Sequence, residues 1–320
     1  MKKATMPTYF ILIGILLIFY GFREDVRNFI IKEVYIEKEV SFEYKNEYYL
    51  NYNFEYVENV DELKIQTKED LLDLYFTIIN SGVNTFEFQC PDTYASCIND
   101  VKSIANDQNS LSNINGFVHP FNSFDTIETE FDSLGRVKLK IIKTYTDLEI
   151  TELNKKVDEI INEQVKDVTD KKEIIKILHD YIITNVKYDK ERTDNNIIRY
   201  ASNTAYGVLF EGYGICSGYA DAMALFLNHY EIPNYKVASE NHVWNAVYLD
   251  GNWYHLDLTW DDPILSNGEE ILDHAYFLVT TEQLKELDTT QHNFDSTIFT
   301  ELALKETKLV SFFSQKKNIV

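Results

Sequence analysis

The stretch NHVWNAVYLDGNWYHLDLTWDDP, residues 241–263, restricts the fold more than any other part of the chain. HVWNAVYL and WYHLDLTW both alternate apolar and polar residues, the period of a strand with two different faces. Asp250-Gly251 stands between them, and that dipeptide favours a two-residue type I′ turn. The spacing therefore predicts an antiparallel hairpin with Leu249 opposite Asn252. Counting back along both strands places His242 opposite Thr259 and Asp257 opposite Trp244. In that register His242 and Asp257 share a face, one diagonal apart, at about 7–8 Å between backbones. A slip of one residue would send them to opposite faces.

An imidazole and a carboxylate on one face suit a base and its orienter, and such a pair needs a nucleophile. GICSGYADAMALF, Gly214 to Phe226, offers one. Tyr219, Met223, Ala224 and Leu227 follow three-and-four spacing, which predicts a helix over 217–230 that ends before Pro233. Cys216 falls at its N-terminus. Unpaired N–H groups and the helix dipole there favour a thiolate. Gly214 and Gly218 are expected to allow unusual backbone angles and close approach of a substrate. Cys216, His242 and Asp257 are the candidate catalytic residues, because thiol, imidazole and carboxylate form the parts of a nucleophile–base–orienter relay. The alternative readings are a buried structural cysteine, a surface strand histidine and a turn-capping aspartate. Trp244, Trp253 and Trp260 cluster around the hairpin and read first as core.

The chain has 320 residues and a net charge of −22. That balance argues against nucleic acid as a partner, since such binding runs on neutralisation of phosphates by Lys and Arg. Three cysteines are present, at 90, 97 and 216. Cys90 and Cys97 could bridge across CPDTYASC or be two small buried apolar residues. No CxxC pair and no zinc ligand spacing is found, and no metal or organic cofactor is implied. His242, His255 and Asp257 as metal ligands are a weaker reading than the thiol relay. Asp261-Asp262 reads as a solvated turn before Pro263.

Lys2 and Lys3 precede the uncharged run Tyr9–Phe22, near the lower length limit of a membrane span. Arg23, Glu24 and Asp25 follow without the small residues of a cleavage site. The expectation is an uncleaved, single-pass membrane anchor with the bulk of the chain extracytoplasmic. Four regions are expected: anchor and linking helix at 1–33, a small α+β accessory domain at 34–146, a catalytic domain at 147–295 and a C-terminal tail at 296–320. Within the accessory domain, a strand is predicted over 33–44, a helix ending at Gly82 and a hairpin turning at Ser133–Gly135. Residues 106–115 read as loop. In the catalytic domain, helices are predicted over 149–165 and from a cap at Thr169 or Asp170. His179 reads as a partly exposed helix histidine, and the polar stretch 188–203 as loop.

The strings YGVLFEGYGICSGYADA, NHVWNAVYLDGNWYHLDLTWDDP and HAYFLVT together resemble the transglutaminase-like superfamily of papain-like thiol enzymes, in particular its membrane-anchored bacterial branch. The resemblance covers roughly residues 169–290 and not 34–146. It implies an α+β fold, with a cysteine-bearing helix packed on an antiparallel sheet. It assigns nucleophile, base and orienter to Cys216, His242 and Asp257. Ser217 follows the cysteine where Gln or Asp is frequent. The upstream Gln or Trp that papain-like enzymes use as second oxyanion donor has no counterpart here, which leaves Tyr188, in VKYD, as the candidate. The implied activity is thiol-dependent acyl transfer at peptide or side-chain carboxamide bonds of a protein or peptide, cell-wall-associated substrates included. Hydrolysis is the leading reading. Cross-linking transamidation and a non-catalytic peptide- or cell-wall-binding module are the alternatives. The family's animal members use calcium, which nothing in this sequence requires.

Overall fold

The computed structural model describes residues 45–62, 64–132, 134–263, 271–288 and 290–303. The expected anchor, the linking helix and the strand at 33–44 lie outside these residues. Among the described residues no helix is long and apolar enough to cross a membrane.

The first half alternates helices with a three-stranded sheet. Helix α1 (Lys68–Ser81) opens on a capping box in which Thr67 and Asp70 satisfy each other's backbone N–H. It closes on Gly82 in the left-handed conformation, where the missing Cβ removes the steric cost. Strand β1 (Thr85–Gln89) leads to a disulfide between Cys90 and Cys97, which resolves the pairing left open by the sequence. Helix α2 (Cys97–Asn106) follows. The stretch read as loop after it is instead helix α3 (Gln108–Gly116). Asp107 caps it by accepting from Asn109 and Ser110, so a side chain starts a helix whose polar composition hides it. Strands β2 (Phe124–Phe131) and β3 (Arg136–Lys143) form the expected hairpin, and the sheet order is β1-β3-β2.

Helices α4 (Asp147–Gln164) and α5 (Lys171–Asn185) bury the stripes their periodicity predicts, including Leu153, Val157, Ile174 and Ile182. Asp170, not Thr169, caps α5. Strand β4 (Lys187–Tyr188) pairs in parallel with β5 (Tyr213–Gly214). Part of the intervening polar stretch is the short helix α6 (Lys190–Asn195), capped by Asp189.

Helix α7 (Cys216–His229) packs on an antiparallel sheet of β6 (Asn234–Ala238), β7 (Val243–Leu249) and β8 (Asn252–Leu256). The β7–β8 register has Leu249 opposite Asn252 and Asn245 opposite Leu256, as the turn predicts. Asp250 and Gly251 both have positive φ, +50° and +89°, the signature of a type I′ turn. Both faces of this sheet are covered. Val247, Leu249 and Leu256 join the core formed with α4, α5 and α7. Trp244, Ala246 and Trp253 join the core of the first half. Strand alternation thus places the sheet as a wall between two apolar clusters.

Candidate active site

The Cys216 end of α7 is built by close backbone contact. A Cβ on Gly218 would lie 2.2 Å from the Ser202 carbonyl oxygen, and one on Gly214 would lie 2.5 Å from the Tyr219 ring. Neither glycine has positive φ, so they provide approach and not the unusual backbone angles expected of them. The Ile215 N–H donates to the Ser202 carbonyl at 2.8 Å, fixing the chain where it enters the helix. Cys216 is the free cysteine and is partly exposed. Helix N-termini leave their first N–H groups without intrahelical acceptors, so donors surround the sulfur. On the sheet face that meets α7, Asn245 donates from Nδ2 to the Ala220 carbonyl at 3.0 Å and ties α7 to β7.

His242 and Asp257 stand at the open ends of β7 and β8, where the ladder stops. His242 Nε2 and Asp257 Oδ2 are 2.5 Å apart, both groups buried. The Cys216 sulfur neighbours the imidazole and favours its charged form. Because Nε2 is committed to Asp257, the nitrogen left for the sulfur is Nδ1. Burial opposes a charge on His242, but the Asp257 charge and hydrogen bond, joined by the Cys216 sulfur, outweigh it and raise its pKa. Burial likewise pushes the Asp257 carboxyl up, and the His242 charge with two imidazole hydrogen bonds overcomes it. The carboxyl ends well below its usual range.

The second imidazole belongs to His292, which the sequence reading passed over. Its Nε2 lies 2.7 Å from the same Oδ2 of Asp257, and its Nδ1 lies 2.9 Å from Asp288 Oδ2. The other oxygen of Asp257 accepts from the backbone N–H of Thr259 and Trp260, at 2.9 and 3.2 Å. Asp257 is therefore a turn-capping aspartate and an imidazole partner at once. Tyr276 stacks on the His292 ring at 5.1 Å, and Trp244 and Trp260 meet it edge-on at 4.9 and 5.2 Å. The polar text around it, TTQHNF, carries no periodicity, so His292 left no signal. Only its place opposite a buried carboxylate marks it.

Trp244 also stacks on the His242 ring, with centroids 5.6 Å apart. Its indole N–H donates to His255 Nδ1 at 2.9 Å, and His255 Nε2 meets Thr281 Oγ1 at 3.0 Å. Burial, reinforced by the His292 charge, lowers the His255 pKa to about 3, in keeping with a neutral ring that accepts from the indole. His255 is thus a support for Trp244. His242, Asp257 and His292 also bring three ligand-type atoms within 4.8 Å of one another, all of them buried.

Tyr188 lies beside Gly214, two residues before the cysteine, through the β4–β5 pairing. Burial and the neighbouring Cys216 raise its pKa, so its phenol keeps the proton a donor needs. Two other expectations are corrected. His179 is fully buried, because it bridges Asp180 and Asp261. Asp261 and Asp262 are buried too: Asp262 accepts from the Tyr219 hydroxyl at 2.6 Å, and Asp261 accepts from the Tyr276 N–H at 2.8 Å.

A cysteine-led helix, an antiparallel sheet and a thiol, imidazole and carboxylate at their junction make an α+β arrangement. Residues 158–258 match the family model described as Transglutaminase-like superfamily. The matched region ends before His292. No curated protein matches the chain. Similar solved structures include a TGase, at 14% identity and TM-score 0.32, with 54% of this chain and 50% of that one covered. The chain thus spans half the length of that structure. Another is a proposed cysteine protease from Cytophaga hutchinsonii, at 20% identity and TM-score 0.26, with 48% and 68% covered.

Proposed function

We propose that this protein transfers acyl groups from peptide or side-chain carboxamides through a thioester on Cys216, with water as the usual acceptor. One observation carries the reading: His242 stands between the Cys216 sulfur, which favours its charged form, and the buried Asp257 carboxylate, 2.5 Å from its Nε2. In the proposed reaction the thiol proton goes to His242 and the sulfur attacks the carboxamide carbon. The oxyanion is held by N–H groups at the start of α7, with Tyr188 as second donor. The imidazolium gives its proton to the leaving amine, and the C–N bond breaks. Water, deprotonated by the same imidazole, then releases the acid and restores the thiol. Asp257 keeps the ring oriented and stabilises its charged form.

Transamidation shares every step up to the thioester. A glutaminyl peptide incubated with the protein and a labelled primary amine separates the two. Hydrolysis gives ammonia or cleaved peptide with no label incorporated, whereas a transamidase attaches the label. Absence of both products across a varied peptide panel would favour the non-catalytic binding module.

We place the catalytic part outside the cell membrane, held by the N-terminal apolar run. The basic start of the sequence favours that orientation. The Cys90–Cys97 disulfide favours an oxidising compartment. Protease added to intact cells should remove the catalytic domain; protection until lysis would contradict this placement.

A further inference from the structure

Away from the thiol, a second set of histidines converges where no spacing in the sequence suggested a ligand set. His179 and Asp180 lie on α5, and His274 comes from the segment that follows the sheet. His179 Nδ1 is 2.9 Å from Asp180 Oδ1, and His274 Nε2 is 2.7 Å from the same oxygen. The three atoms lie within 4.8 Å of one another. His179 is fully buried, while His274 and Asp180 reach solvent.

The far side of His179 decides how the cluster reads. Its Nε2 faces Asp261 Oδ2 at 3.1 Å, and both side chains are completely buried. A carboxylate only accepts, so Nε2 carries a proton. Nδ1 then faces the Asp180 carboxylate oxygen at 2.9 Å, a position that suits a shared cation, either a proton or a metal. A histidine whose other N–H is held by a buried carboxylate is the usual arrangement at metal centres, because it fixes the tautomer and raises ligand basicity. Asp261 is itself held by the Tyr276 N–H on its other oxygen. Lys176 Nζ sits 2.6 Å from Asp180 Oδ2, which leaves Oδ1 free to turn inward. Phe277 meets both imidazoles edge-on, at 5.2 and 5.8 Å, and forms an apolar wall.

We propose that His179 Nδ1, Asp180 Oδ1 and His274 Nε2 form a binding site for a transition-metal dication of the zinc class, with Asp261 as the carboxylate that orients His179. Two imidazoles and one carboxylate match the donors such ions take, and the exposed side leaves room for water as a fourth ligand. Bond lengths of about 2.0–2.2 Å in a tetrahedral set would require the ligand atoms to part by roughly 0.4–0.9 Å. Exposed His274 can swing to allow it. The ion would fasten the segment 271–279 to α5. That segment bears Tyr276, which stacks on His292, so the metal would brace the wall behind Asp257 without touching the thiol.

The test is titration of the full-length protein with Co²⁺, followed by its visible d–d bands, and with Zn²⁺, followed by thermal unfolding. One Co²⁺ per chain is expected, with no sulfur-to-metal charge-transfer band and a Zn²⁺-dependent rise in Tm. In His274→Ala, whose side chain is exposed, affinity should fall by about 100-fold or more and the Tm rise should vanish. In Asp261→Asn affinity should fall by about 10- to 100-fold. The proposal is overturned by no Co²⁺ uptake, by uptake unchanged in His274→Ala, or by a charge-transfer band that assigns the ion to Cys216.

Discussion

His242 and His292 approach the same oxygen, Oδ2 of Asp257, at 2.5 and 2.7 Å. One buried carboxylate therefore serves two imidazoles while its other oxygen is taken by backbone N–H groups. Rotation of Asp257 would break four contacts together, which makes it a fixed reference for the His242 ring.

His292→Ala removes one of those contacts and opens a gap among Trp244, Trp260 and Tyr276. It also strands the Asp288 oxygen that His292 Nδ1 meets. Losing a hydrogen bond to a buried carboxylate costs about 1.5–3 kcal/mol, and denaturant unfolding should show a loss of that order. His292→Gln keeps one donor toward Asp257 and should retain more activity than the alanine variant. Equal activity in the two would mean that the hydrogen bond to Asp257 does not matter.

The His242–Asp257 pair sets a pH window for stability. His242 is raised to about 10, so its contribution is complete below the ordinary histidine range and disappears as pH climbs through that folded value. Asp257 is depressed, so its contribution is complete above the ordinary carboxylate range and disappears as pH falls through the folded value. Calorimetric Tm of the wild type relative to His242→Ala should show an advantage across the neutral range that shrinks at both extremes. A difference that does not vary with pH would contradict the pairing.

Gly218→Ala would force a Cβ to 2.2 Å from the Ser202 carbonyl, with backbone on both sides of the clash. A cost of about 1–3 kcal/mol is expected. The displaced helix start should also lower kcat, because Cys216 is two residues away. Gly251→Ala is the contrast: nothing lies within 4 Å, but φ is +89°. Strain alone should cost about 1 kcal/mol there, with the active site untouched. Chemical denaturation and turnover, measured on both, separate the two effects.

The hairpin, the thiol helix and the three residues that meet at their ends were legible in the sequence because each rests on local rules. Asp250-Gly251 dictates the turn, alternation dictates the faces, and three-and-four spacing dictates the helix. The polar helix at Gln108–Gly116 was hidden, since its start depends on the Asp107 side chain and it buries little more than Ile114 and Gly116. His179, Asp261 and Asp262 were misread as exposed because charge alone suggests solvent. Their burial is made possible by partners 43 to 82 residues away in the chain. His292 shows the same limit: its value lies in a contact 35 residues distant, with no motif around it.

Cys216→Ala should abolish turnover, by roughly 10³-fold or more, with little change in unfolding, because the side chain is small and partly exposed. Full activity in that variant would remove the thiol from the mechanism.

The most direct test of the relay is the rate of Cys216 alkylation by iodoacetamide as a function of pH, in the wild type and in His242→Ala. A sulfur beside a charged imidazole should react as a thiolate from mildly acidic pH upward. In the variant, reaction should begin only at the alkaline pH of an ordinary thiol. Superimposable profiles would contradict the account.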